Sequence, residues 1–117
     1  MKPAKYSKSE IEKIDQGTKL ILKYPTPTKQ MDISRMIVNG RHPEQEGSFI
    51  IEKECSFVMY VLSGTGKVYA GDEVFDVLAE DVVFVPNANK FAVEGNFEYI
   101  TFDSPAFYRE QSEQVTK

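Results

Sequence analysis

A chain of 117 residues holds one domain and one core, and its formal charge of −4, with lysines scattered rather than clustered, lacks the basic footprint that a nucleic-acid backbone requires. Hydrophobic residues at 41% and aromatics at 12% suffice to fill that core, which excludes wholesale disorder. The apolar runs are far shorter than a bilayer span and the amino terminus, MKPAKYSKSEIEKID, has no apolar secretion segment, so a cytoplasmic protein with neither membrane nor nucleic-acid partners is expected. The single cysteine, Cys55, cannot close an intramolecular disulfide, in keeping with a reducing compartment.

Along the chain, Ser7 with Glu10 three residues later reads as the cap of a helix of one or two turns over KSEIEKID. After Gly17 the segment TKLILKYPTPT reads as an edge strand halted by Pro25 and Pro27. From Met31 onward, strand-favouring runs recur with turn signals between them: ISRMIVNG, GSFIIEKE, SFVMYVLSG, GKVYAGDE, EVFDVLAED, VVFVPN, KFAVEGN and FEYITFDSP. Such spacing, with no long helical periodicity, predicts an all-β antiparallel sandwich or barrel. Gly64, Gly66, Gly71 and the glycine of EGN at 94–96 mark the expected tight turns. The tail REQSEQVTK is polar throughout and is expected to fray beyond Tyr108, whereas Phe107 and Tyr108 are expected to fold back over a barrel end. The chain is thus read as a single domain over 1–117, with its core at about 18–108 and flexible polar ends.

The stretch YVLSGTGKVYAGDEVFDVLAEDVVFVPNANKFAVEG resembles the central half of a small single-domain cupin, a match spanning about residues 48–105. The resemblance implies an antiparallel jelly-roll barrel whose interior takes a ligand or a metal. It also implies a homodimer. The family's first motif ends in a VL-x-G-x-G turn, present as Val61, Leu62, Gly64 and Gly66. In its second motif Asp81 and Pro86 hold their places, while Glu80 and Ala88 stand where the family has glycines. The positions of the metal ligands are another matter. The family's glutamate falls on Phe57, its paired histidines on Ile51 and Lys53 or on Ile50 and Glu52, and its last histidine on Phe91. A chain with one histidine cannot rebuild a three-histidine site, so no metal and no other cofactor is expected.

Phe57, Met59 and Val61 alternate along one strand, and Phe91 and Val93 along another, so the former metal site is expected to be apolar. Phe57 and Phe91 either fill the barrel as core packing or, with Met59, line a pocket for a small, partly apolar molecule, with Lys53 or Arg41 near its rim and Arg41 and His42 at its mouth as the groups to take an anionic ligand. No residue is singled out as catalytic in this reading, which leans toward binding over catalysis. The alternative is a metal-independent carbohydrate isomerase or epimerase. Its candidate groups are Lys53, Glu52 and Glu54 in IIEKEC, His42, and Tyr60, Tyr69 and Tyr99 as phenolic acids. His42, Glu44 and Glu46 are spaced as a displaced metal site, against which Pro43 and Gly47 mark a turn. Cys55 reads as a buried, inert thiol rather than a nucleophile.

Overall fold

The computed structural model describes residues 1–116. Nine strands curl into one antiparallel jelly-roll barrel: β1 Glu12–Asp15, β2 Lys19–Lys23, β3 Asp32–His42, β4 Ser48–Glu52, β5 Ser56–Ala70, β6 Glu73–Leu78, β7 Val82–Val85, β8 Lys90–Ser104 and β9 Ser112–Thr116. The order β1-β2-β3-β8-β4-β9 forms the main path, and β5 joins it through β8 while also pairing with β6 and β7. β8 is the spine. Along one edge it pairs with β3 from Asp32↔Asp103 to His42↔Val93, and along the other with β5 from Ser56↔Ser104 to Ala70↔Phe91.

The alternation in the sequence decides which side chains enter the barrel. Phe57, Met59 and Val61 on β5 and Phe91, Val93, Phe97 and Tyr99 on β8 are buried in one cluster with Val38, Val68, Val77, Val83 and Val85. Burying each such side chain contributes about 1.5–3 kcal/mol, so this cluster is the main favourable term of the fold.

Several expected turns are bends within long strands. SFVMYVLSG and the GKVYA of GKVYAGDE form one strand, β5, which turns into β6 at Gly71, and KFAVEGN and FEYITFDS form another, β8. The cause is close approach of the two paired strands at their glycines: a Cβ on Gly95 would lie 2.6 Å from the Cα of Gly66, its register partner, and one on Gly64 would lie 2.2 Å from the Asn96 carbonyl oxygen. Glycines there let the backbones touch and bend without leaving the ladder.

The ends also differ from expectation. Residues Lys8–Glu10 make a single 3-10 turn, closed by the Ser7–Glu10 capping box, and the chain then becomes β1. β1 covers the outer side of β2, so β2 is not an edge. At the other terminus, Arg109–Gln111 form a 3-10 turn and β9 pairs with β4 from Ser48↔Thr116 to Glu52↔Ser112. Gln111, 3% exposed, holds this tail in place. Its Oε1 accepts from the backbone N–H groups of Glu54 and Cys55, and its Nε2 donates to Glu52 Oε2 at 2.8 Å.

Glu80 and Ala88 have φ of 76° and 68°. These are the two places where the resemblance has glycine, and a side chain in this left-handed region costs about 1–2 kcal/mol. Glu80→Gly and Ala88→Gly are each expected to stabilise the fold by about 1 kcal/mol in urea denaturation, with the entropy of the added glycine offsetting part of the relief. Unchanged or lowered midpoints would count against the strain.

Candidate functional site

The concave face of β1, β2, β3, β4 and β8 encloses a cavity of about 180 Å³. Its apolar wall includes Ile14, Ile21, Met36, Ile50, Phe57 and Phe91. Phe57 and Phe91 meet edge to face with ring centroids 4.8 Å apart.

The interior is not purely apolar. Lys19, His42, Glu52, Tyr99, Thr101 and Asp103 line the same cavity. They arrive there by strand parity: Tyr99, Thr101 and Asp103 share the inward face of β8 with Phe97, and Lys19 shares that of β2 with Ile21 and Lys23.

Exclusion of water sets the ionisation of this group. Lys19 is 5% exposed and makes no ion pair among the described residues. Its ammonium stands 5.7 Å from the centre of the Phe91 ring. Burial lowers its pKa to about 8, with Glu52 and Asp103 acting in the opposite direction. Burial also lowers His42, to about 4, assisted by the charges of Lys19 and Arg41, so the imidazole is neutral at physiological pH. Its Nδ1 is buried and has no hydrogen-bond partner among the described residues. Burial raises the phenol of Tyr99, and Asp103 and Glu52 raise it further. Asp103 is pushed up to about 8 by burial and by Asp32 and Glu52.

The sequence-stated pocket residues separate in space. Phe57 and Phe91 line the cavity. Met59 is fully buried in the core cluster and does not reach it. Lys53 sits on the surface, its ammonium 3.3 Å from Glu113. Arg41 turns back onto the 43–47 loop, donating to the carbonyl oxygens of Pro43 and Gln45 at 2.6 and 2.8 Å, and its guanidinium lies over Phe49 and Tyr69. It acts on the cavity only through its charge on His42. Cys55 is buried and its thiol is pushed up to about 12, first by burial, which leaves it unreactive.

Of the groups that sequence reasoning weighed as acids or bases, Glu52, His42 and Tyr99 reach the cavity. Lys19 and Asp103 were missed. Both carry a signal in their alternation with Ile21 and Tyr99, but a lysine or aspartate at a strand end reads as solvated.

The residues present do not fit a transition metal. Phe57 and Phe91 stand where the resemblance has a carboxylate and an imidazole, and the one imidazole has an ammonium group for a neighbour. Among the described residues no three His, Cys, Asp or Glu side chains come together to hold an ion.

No protein-family model and no curated protein matches the chain. Solved structures do. The chain is similar to Streptomyces PAC13 carrying one tyrosine-to-phenylalanine substitution, with uridine, at 23% identity and a TM-score of 0.88, covering 99% of this chain and 93% of that one. A further Pac13 structure, described as that of a unique nucleoside dehydratase, matches at 23% identity and TM-score 0.88 over 98% and 92% of the two chains. An RmlC-like cupin from Shewanella frigidimarina matches at 17% identity and TM-score 0.70 over 86% and 89%. At these identities the likeness is one of fold, and the fold is that of the cupins.

A protonated His42 in this cavity has lost solvation that the unfolded chain restores. Because its folded pKa lies below the free value of 6.5, the fold loses stability as pH falls from that value toward about 4. His42→Gln, which has no proton to take up, is expected to lose less stability than the native chain between about pH 7 and about pH 4 in urea denaturation. Parallel acid limbs would contradict the burial of the imidazole.

Proposed function

We propose that this cupin-fold chain is a metal-independent enzyme that takes a small hydroxylated ring compound, of the nucleoside class, into the cavity and removes a proton from carbon with His42. The observation that carries this reading is the presence, in one water-poor cavity, of a neutral imidazole and a buried ammonium whose pKa lies near 8. A base needs to be unprotonated and an acid protonated at the same pH, and here burial produces both states at once. The uridine in the PAC13 structures and the dehydratase activity named for Pac13 support a nucleoside as the ligand class and water loss as the reaction.

In the dehydration, His42 takes the proton from carbon and that electron pair forms the C=C bond. The C–O bond on the adjacent carbon opens, and the departing hydroxyl takes a proton from Lys19 to leave as water. The Phe57–Phe91 wall takes the flat ring. An isomerase or epimerase acting on a carbohydrate would share the first step and differ in returning the proton to carbon. Simple binding of a partly apolar molecule against the same aromatic wall is the second reading; binding without turnover across nucleosides and sugar derivatives would favour it.

The chain is also proposed to form a homodimer. Its outer face exposes Leu78, Val82, Phe84 and Phe102, and Phe84 and Phe102 both flank Val58 across adjacent ladders, an apolar surface suited to a second copy of itself. A monomer mass in light scattering would remove this.

Turnover is expected to follow a bell-shaped pH profile, with limbs near about 4 and about 8 set by His42 and Lys19. His42→Gln is expected to lower kcat by about 10²–10⁴-fold with little change in KM. Mass spectrometry for the loss of one water from a nucleoside panel checks this. Activity that survives His42→Gln, or that disappears on dialysis against a chelator and returns with Mn, Fe or Zn, would overturn the reading.

A further inference from the structure

Asp32 and Asp103 stand directly opposite each other on β3 and β8. Side chains so paired have Cβ atoms about 4.5–5.5 Å apart, which brings two carboxyl groups within contact. Asp32 is 4% exposed. Its Oδ2 accepts from the backbone N–H of Phe107 at 2.8 Å and lies 3.6 Å from the ammonium of Lys23, while its Oδ1 is buried without a donor among the described residues. Asp103 lines the cavity, whereas Asp32 faces an open depression of about 700 Å³ on the far side of Lys23 and Phe107. The pair therefore forms part of the wall between the two.

Two facing carboxylates in that wall would repel, and one buried oxygen would remain unsatisfied. A single proton resolves both problems. We propose that at neutral pH Asp103 carries a proton that it donates to the partnerless Oδ1 of Asp32, so that Asp103 meets the cavity as an uncharged carboxyl whose carbonyl oxygen is free to accept from a hydroxyl of the ligand. Asp32 is then a positioning residue, acting through Asp103.

The surroundings agree. Asp103 is faced by Asp32 on β3, Glu52 on β4, Lys19 and Lys23 on β2, Tyr99 on its own strand and Cys55 before β5, with Phe57 opposite it on β5. Burial and the two neighbouring carboxylates together outweigh Lys23 and hold its pKa at about 8. That the hydroxyl it accepts from belongs to a nucleoside rests on the function proposed above; the proton between the two carboxyl groups does not.

The test is a side-chain carboxyl NMR titration of the full chain without ligand. Asp103 is expected to titrate near 8, and in Asp32→Asn its midpoint is expected to fall by about one pH unit or more as the facing charge is removed. A native midpoint in the ordinary carboxyl range near about 4 overturns the proposal without recourse to any variant. With uridine as the probe, Asp103→Ala is expected to weaken affinity about tenfold at about pH 6, as for loss of one buried hydrogen bond, and Asp103→Asn, whose amide donates to Asp32 and whose carbonyl oxygen still accepts, to restore most of it. An Asp103→Asn protein that binds no better than Asp103→Ala overturns the acceptor role. If uridine fails to bind while Asp103 still titrates near 8, the nucleoside reading falls and the proton between the two carboxyl groups stands.

Discussion

Loss of water from polar side chains on the concave face of a curled sheet is the constraint from which the site follows. In bulk solvent an imidazole, an ammonium and a carboxyl group would take their ordinary charges at neutral pH. Here burial is the largest influence on Lys19, His42, Tyr99 and Asp103 alike, and it drives each toward its uncharged form. The neighbouring charges then separate them. Glu52 supports the charge on Lys19, while Lys19 and Arg41 oppose a charge on His42. A base and an acid result from one environment.

That environment depends on β8. It pairs with β3 on one side and β5 on the other through most of its length, so Tyr99, Thr101 and Asp103 are held between two ladders. Close approach of Gly66 and Gly95 lets these long strands bend together and draw the sheet around the cavity. At the far side the buried Gln111 ties β9 to the segment before β5 and fixes Glu52 through its amide. The polar groups of the site therefore sit on ladder-bonded strands, which favours preorganisation over induced order.

The barrel and its two ring-bearing walls were legible in the sequence because burial of Phe57 and Phe91 follows a two-residue alternation. The left-handed φ at Glu80 and Ala88 was not legible in the sequence: the resemblance marked only that its glycines are replaced there, and neither residue type signals a positive φ. Lys19 and Asp103 were not legible. Their charge argues for solvent, and only the curvature of the sheet, a long-range property, turns these strand-end residues inward. Gln111 and β9 were hidden for a related reason: a polar tail gives no apolar pattern, and its order comes from the ladder with β4 and from three Gln111 side-chain hydrogen bonds, all to segments more than fifty residues away.

Where the resemblance places a metal, this chain places an aromatic pair, and the cationic charge in the cavity comes from Lys19 and Lys23. An ammonium stabilises developing negative charge and, unlike a bare metal ion, donates a proton, and its charge suppresses protonation of a nearby imidazole. The state of His42 is thus the point at which the whole electrostatic account is exposed to measurement. A ¹⁵N NMR titration of the His42 ring in the native chain should show a neutral imidazole at pH 7 with a midpoint near about 4; a midpoint at or above 6.5, the value for a free imidazole, would contradict it.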